Sequence, residues 1–204
     1  MGVQNEVVVW PPAPANDIAD TSQDPKAAGV QAPAREDLFE SLVTEHWRLI
    51  YRIAFRLTGN QSEADDLAQE AVLEAFRAFP HFRPGTRFDR WIARIMTHTF
   101  IDSTRRRRRH AIVSLDEPDA VDPADPAPGP EETASQQELH HRVQRALTSL
   151  PPEFRTAVVL VDLEGHSYED ASRIMGSPIG TVRSRLHRAR RELRQVLGPI
   201  LAAS

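Results

Sequence analysis

The 204-residue sequence contains no cysteine. This excludes disulfides, thiolate zinc sites, iron–sulfur clusters and any thiol switch carried by the chain itself, so a stress signal has to arrive through another molecule. Long apolar runs are also missing: none approaches the roughly 18 residues that a membrane span requires. The N-terminus lacks the basic-then-apolar order of a signal peptide, so a cytoplasmic location without membrane insertion is expected. No glycine-rich nucleotide loop occurs, and the eight histidines include no metal-spaced pair; His140 and His141 are adjacent and point to different helix faces. Neither a catalytic residue nor a metal or cofactor is expected.

What is present in abundance is charge, unevenly spread. The formal net charge is -4. Even so, residues 81–110 carry nine arginines against two acids, residues 111–134 no base against seven acids, and residues 167–204 seven arginines against three acids. Two separate basic segments point to two polyanion-binding surfaces. The most basic stretch, "IDSTRRRRRHAIVSLDEP", holds five consecutive arginines.

Hydrophobic periodicity divides the chain further. Residues 1–34 are rich in Pro, Ala and Asp, have no apolar period and read as a disordered tail whose one apolar patch is "VVVW" at 7–10. From Arg35 onward Phe39, Val43, Trp47, Ile50, Ala54 and Leu57 recur at spacings of three and four, which predicts a helix ending near Thr58 at Gly59. A second helix follows "GNQS", with Ser62 and Asp65 at capping-box spacing, and ends at Pro80. One arc of it carries Leu67, Ala68, Ala71, Val72, Ala75, Ala78 and Phe79. The other carries Asp65, Asp66, Gln69, Glu70 and Glu74, with Leu73 in their midst. The helix's own core does not explain that leucine, although scattered surface apolar residues are common.

A third helix starts near Arg87, with Phe88, Trp91, Ile92, Ile95, Met96 and Thr99 on one side and Arg87, Arg90, Arg94, Thr97, His98 and Ile101 on the other. If it continues through the arginine run, Arg105 and Arg108 extend the basic stripe while Arg106 and Arg107 turn away from it. Residues 35–110 thus form a small helical domain. Residues 111–133, with five prolines, seven acids and no base, form a linker. Residues 134–204 form a second helical domain, in which "PPEFRTAVVLVDLEG" is a helix opened by Pro151 and Pro152 and closed by Gly165.

In "HSYEDASRIMGSPIGTVRSRLHRARRELRQ", Ser167 and Asp170 have capping-box spacing and Gly176 interrupts the helix. Ser177 and Pro178 suit the N-cap and first position of the next helix. Its apolar stripe is Val182, Leu186, Ala189, Leu193 and Val196; its outer arc is Arg183, Ser184, His187, Arg188, Arg191 and Arg194. This matches a DNA-binding helix-turn-helix, in which an arginine fork meets two acceptors on a guanine edge. A plain helical hairpin with a solvated basic face fits the same pattern. The fold class expected is all-α: two small helical domains joined by a flexible acidic Pro-rich linker, the second containing the helix-turn-helix.

The stretches "LTGNQSEADDLAQEAVLEAFRAF", "FDRWIARIMTHTFIDSTRRR" and "LPPEFRTAVVLVDLEGHSYEDASRIMGSPIGTVRSRLHRARREL", in this order, resemble an extracytoplasmic function (ECF) sigma factor of bacterial RNA polymerase. The resemblance implies that Asp65, Asp66, Gln69, Glu70 and Leu73 lie on the helix that docks on the largest-subunit clamp. Leu73 would be an apolar anchor within a charged rim. It implies that Phe82, Arg83, Arg87, Arg90, Arg94, His98, Arg105 and Arg108 serve opening and reading of the minus-ten promoter element, where a base leaves the stack for a protein pocket. At His98 the family pattern usually has Asn. In the C-terminal domain it implies minus-thirty-five contacts from Arg183, Ser184, His187 and Arg188, with Arg173 and Thr181 placed toward phosphates. The implied partners are the polymerase core, through clamp and flap, promoter DNA and a cognate anti-sigma factor; an alternative sigma factor for stress or envelope response is the implied role.

An autonomous helix-turn-helix regulator is the competing function. A flexible 23-residue linker spans roughly 25 to 30 Å on average, whereas two DNA turns span about 70 Å. A scaffold that docks both domains would impose that spacing, and no heptad marks the symmetric dimer an autonomous regulator would use.

Overall fold

The computed structural model describes residues 32–113 and 134–201, with side chains described at 35–109 and 138–198. Most of the expected tail, including the "VVVW" patch, and most of the expected linker lie outside the described residues. No strand occurs among those residues. The helices are α1 (Ala32–Thr58), α2 (Gln61–Ala78), α3 (Phe88–Val113), α4 (Ala134–Ser149), α5 (Pro152–Val158), α6 (Tyr168–Met175) and α7 (Ile179–Leu201).

Helices α1 and α2 form an antiparallel pair. Phe39 near the start of α1 meets Phe76 and Phe79 at the end of α2, with ring centroids 5.3 and 5.0 Å apart. The chain reverses at Gly59, whose φ of 91° lies in the left-handed region that glycine adopts without strain. The N-cap of α2 is Asn60, whose side chain accepts from Glu63 N at 2.7 Å. The Ser62–Asp65 box expected from the sequence is therefore displaced by two residues, because the asparagine amide oxygen reaches the orphan N–H first. Ala64, Ala68, Ala71 and Ala75 are buried along α2 and let its neighbours approach closely. Ile92, Ala93, Met96 and Phe100 of α3 complete this core.

Trp47, placed on the apolar stripe of α1 by its spacing, is instead 44% exposed and lies beside Tyr51 with ring centroids 6.5 Å apart. Thr97 departs in the opposite sense: expected on the basic outer face of α3, it is fully buried. The helices of the C-terminal half cover that face.

In the C-terminal half, Pro151 caps α5, and a π-turn over Val159–Leu163 ends it earlier than the single helix to Gly165 that the pattern suggests. Glu164 N bonds to Val159 O at 2.9 Å and His166 N to Leu160 O at 3.0 Å. Helix α6 is capped by Ser167, which accepts from Asp170 N at 3.0 Å, and ends at Gly176 in the left-handed conformation with φ 58°. Helix α7 begins with Thr181 N and Val182 N bonded to Pro178 O. Ser177 does not cap it; its hydroxyl accepts from Arg185 at 3.1 Å. Val182, Leu186 and Ala189 are buried as expected, but Val196 is 47% exposed, because the described core ends near Leu193.

The two halves share one continuous apolar cluster in which Leu57 and Phe100 of the first half join Leu147, Leu150, Val158 and Leu160 of the second. Polar side chains cross the same boundary. Gln144 donates to the carbonyls of Phe55 and Arg56 at 3.1 and 3.2 Å, satisfying groups that the end of α1 leaves open. Arg155 donates to the carbonyls of Leu57, Thr148 and Leu150. Its guanidinium lies 5.5 Å from the Phe100 ring centroid.

Candidate nucleic-acid interface

The outer face of α7 is free of protein contacts that would hide it. Arg183, Ser184, His187, Arg188, Arg191 and Arg194 are all exposed. The helical period divides the arginines of this helix into two sets. Arg185 turns in to Ser177, and Arg190 forms a two-point ion pair with Asp162 at 3.0 and 2.5 Å; that bond holds the Arg190 proton more tightly than usual. Arg183 lies 5.6 Å over the Tyr168 ring, which orients it along the outer face. Thr181 is half-buried, with its carbonyl accepting from Ser184 Oγ at 2.9 Å. A short helix and a longer one meeting at Gly176, the second presenting exposed arginines, have the geometry of a helix-turn-helix with a recognition helix.

On the opposite half, Asp66, Gln69, Glu70 and Leu73 are exposed on α2 and Asp65 is half-buried. Leu73 is 49% exposed and Phe76, one turn on, 46% exposed. The acidic face thus carries two apolar groups. Phe76 and the exposed Trp47 escaped the sequence reading, because one is a partner of the core residue Phe39 and the other falls on an apolar stripe.

The residues expected at the minus-ten element are not gathered on one open face. Phe82, expected beside an extruded base, is buried; its ring stacks on Phe79 at 5.4 Å and packs on Trp91 at 4.9 Å. The loop is too short to hold an aromatic away from so apolar a neighbourhood. Arg83, Arg87 and Arg108 are exposed, Arg87 in a two-point pair with Asp89 at 3.0 and 2.6 Å. Arg90, Arg94 and His98 face α6. Arg90 Nη1 lies 2.6 Å from Asp170 Oδ1, Arg94 donates to the Arg173 carbonyl at 3.1 Å, and the His98 ring bonds the Ile174 backbone beside Gly176. Arg105 lies 3.7 Å from Glu153 and 3.8 Å from Asp102. Helix α3 does continue through the arginine run: Arg106 and Arg107 turn back to Glu70 and Glu63 of α2 at 3.1 and 2.7 Å, while Arg105 and Arg108 lie on other faces.

Burial lowers the imidazole pKa of both His98 and His166 below the ordinary value of 6.5. His98 is faced by Arg94, Asp102 and Arg105 of its own helix and by the Ile174 backbone of α6. His166 is faced by Asp89 and Arg90 of α3, Asp170 of α6 and the neighbouring Glu164. Both rings sit between the two halves, so the packed state binds fewer protons than a separated one. Packing is therefore at full strength above pH 6.5 and weakens as pH falls below it. The urea midpoint should be lower at pH 5.5 than at pH 7.5, and substituting both histidines by glutamine should flatten that dependence.

Among the described residues no cluster of His, Asp and Glu is arranged to hold a metal ion, and no helix is long and apolar enough to cross a membrane. What the fold presents is a helix-turn-helix with an open basic face, and a second helical unit with a basic helix and an acidic, partly apolar one. Family models for Sigma-70 region 2 and Sigma-70 region 4 match residues 42–110 and 140–193, which defines a two-region protein of the sigma-70 class. The chain is 46% identical over 159 residues to the ECF RNA polymerase sigma factor SigE of Mycolicibacterium smegmatis, covering 78% of this chain and 61% of the relative. It is 40% identical over 161 residues to the ECF RNA polymerase sigma factor SigM of Mycobacterium tuberculosis, covering 78% and 77%. A solved structure of the sigma factor RpoE in complex with the anti-sigma factor NepR, from Bartonella quintana, aligns with a TM-score of 0.65 at 26% identity, covering 79% of this chain and 98% of that one. The chain belongs to the ECF sigma factors.

Proposed function

We propose that the protein binds the core of bacterial RNA polymerase and directs promoter-specific initiation as an alternative sigma factor of the cytoplasm, rather than acting as an enzyme. The observation that carries this reading is the presence on one chain of two unlike exposed faces, the arginine face of α7 and the acidic face of α2 with Leu73 at its centre. The first suits the minus-thirty-five element through Arg183, Ser184, His187 and Arg188, with Arg173 and Thr181 near phosphates. The second suits a protein partner, because a protein interface commonly has an apolar centre with a polar rim. Residues 35–110 would then act on core polymerase and the minus-ten element, and residues 134–204 on the minus-thirty-five element. The RpoE structure was solved with an anti-sigma factor, and a partner of that kind is the proposed restraint on this chain.

Run-off transcription with core enzyme on genomic promoter templates tests the proposal, with promoter-dependent transcripts expected only when both are present. Tight, specific DNA binding by the protein alone with no transcript would establish an autonomous regulator instead. Two substitutions separate the faces. Leu73→Ala should weaken core binding about tenfold or more without altering the duplex contacts of α7. Arg188→Ala should cost about 1–3 kcal/mol of discrimination between promoter and scrambled DNA while leaving core affinity unchanged.

A further inference from the structure

We propose that the groove between α1 and α2 is the docking site for this chain's own N-terminal segment Val7–Trp10, which there covers the face proposed for core polymerase. Of the five large apolar side chains exposed among the described residues, three, Trp47, Leu73 and Phe76, belong to these two helices. Two observations fix how the helices run past each other. Phe39 meets Phe76 with ring centroids 5.3 Å apart, and burial and then the Asp65 carboxylate raise the Tyr51 pKa, which puts that carboxylate near the phenol. This antiparallel register sets Trp47 across from Gln69 and Val43 across from Val72. Val43, Trp47 and Tyr51 follow one another at the four-residue spacing of one helix face, Asp65, Gln69, Val72 and Phe76 line the facing row, and Leu73 flanks it. Val43, Tyr51 and Val72 are half-buried, so their outer edges join the exposed side chains in one apolar strip. A continuous apolar strip of this kind marks an interaction site.

The chain itself carries a matching group within reach. Val7, Val8, Val9 and Trp10 are the one run of large apolar side chains before α1, and 21 residues separate Trp10 from Ala32. A flexible chain of that length spans roughly 25 Å on average. Phe39 and Trp47 lie about 10 and 22 Å along α1 from Ala32 at the helical rise per residue, so both ends of the groove are accessible to the segment. A tether this short gives an effective concentration near millimolar, and a contact too weak to hold a free peptide then holds a linked one. In an extended segment Val8 and Trp10 share one side. The Trp10 indole N–H is a donor that needs an acceptor, and Gln69 and Asp65 supply acceptors between the apolar groups. The acids before α1, Glu6, Asp17, Asp20 and Asp24, all fall outside Val7–Trp10. The acidic rim of α2 therefore opposes the flanks of the segment and not its anchor, which keeps the contact reversible. A second copy is the poorer occupant, because a twofold interface on this face would set Asp65, Asp66, Glu70 and Glu74 against their own kind.

The absence of native cysteine permits a direct test on the full chain. A nitroxide on Asn5→Cys reports the position of the segment by paramagnetic relaxation in isotope-labelled protein. The amide signals of Val43, Trp47, Gln69, Leu73 and Phe76 should lose most of their intensity relative to the reduced label, while those of α7 keep theirs. Adding Val8→Ser and Trp10→Ser should restore the groove signals; both positions precede α1, so the fold is not at stake. Groove signals that keep their intensity in the labelled chain would overturn the proposal. So would their loss in a mixture where the nitroxide and the isotope sit on different molecules, since the groove would then hold the tail of a second copy. The consequence for transcription rests on the polymerase reading of this face: Val8→Ser/Trp10→Ser should bind core polymerase about fivefold more tightly than the parent, as expected when a tethered competitor is removed. Attenuation at the groove with unchanged core affinity would leave the segment docked and remove core polymerase from this face, so the two readings fail separately.

Discussion

Replacing Arg155 by alanine is expected to lower the free energy of unfolding by about 3 kcal/mol, since each carbonyl left without its donor costs about 1 kcal/mol or more. Three carbonyls depend on this side chain: Leu57 at the end of α1, Thr148 near the end of α4 and Leu150 in the connection to α5. With the guanidinium gone, each loses its side-chain donor in a partly buried setting. Burial brings the Arg155 pKa down to about 10. The stacking of the guanidinium on Phe100 adds packing that alanine cannot replace. Urea denaturation of the full chain reads the loss as a lower midpoint. Arg155→Lys should recover little of it, since one ammonium cannot span three carbonyls as a planar fork does. A midpoint within 0.3 M of the parent, taking a slope of about 2 kcal/mol per M for a chain of this size, would show that the network contributes nothing.

Gly59→Ala is expected to cost about 2–5 kcal/mol, from two sources that can be separated. A φ of 91° strains any residue with a Cβ, by about 1–2 kcal/mol. In addition, a Cβ at this position would overlap Thr148 Cγ2 of α4 and approach Gln144 Nε2 to 3.5 Å, an overpacking term of about 1–3 kcal/mol. The double variant Gly59→Ala/Thr148→Ala should regain the second part and not the first. Because Gln144 is the donor to the carbonyls of Phe55 and Arg56, displacing α4 also loosens the boundary between the halves.

Helix positions, the outer faces of α2 and α7, and the helix-turn-helix were legible because each depends on residues close in sequence. A 3.6-residue period, an interrupting glycine and a capping serine are local signals. They found Leu73 among acids and distinguished Arg183 and Arg188 from the arginines that turn inward. Local signals failed where a third helix decides the outcome. The spacing that puts Trp47 in an apolar stripe says nothing about whether a partner covers it, and the spacing that puts Thr97 on a basic face says nothing about a distant helix that buries it. The π-turn after Val158 was equally invisible, since no residue type announces it.

The sequence by itself determined the main helices, the two basic segments and the family, because backbone propensity, side-chain period and motif order are properties of neighbouring residues. Only the tertiary structure decided how the arginines of α3 are employed. Arg90 and Arg94 meet Asp170 and the Arg173 carbonyl, some eighty residues away in the chain, and Arg106 and Arg107 meet α2. A charge written in a sequence states its sign, whereas the group that neutralises it is selected by the packing of apolar faces that brings remote helices together.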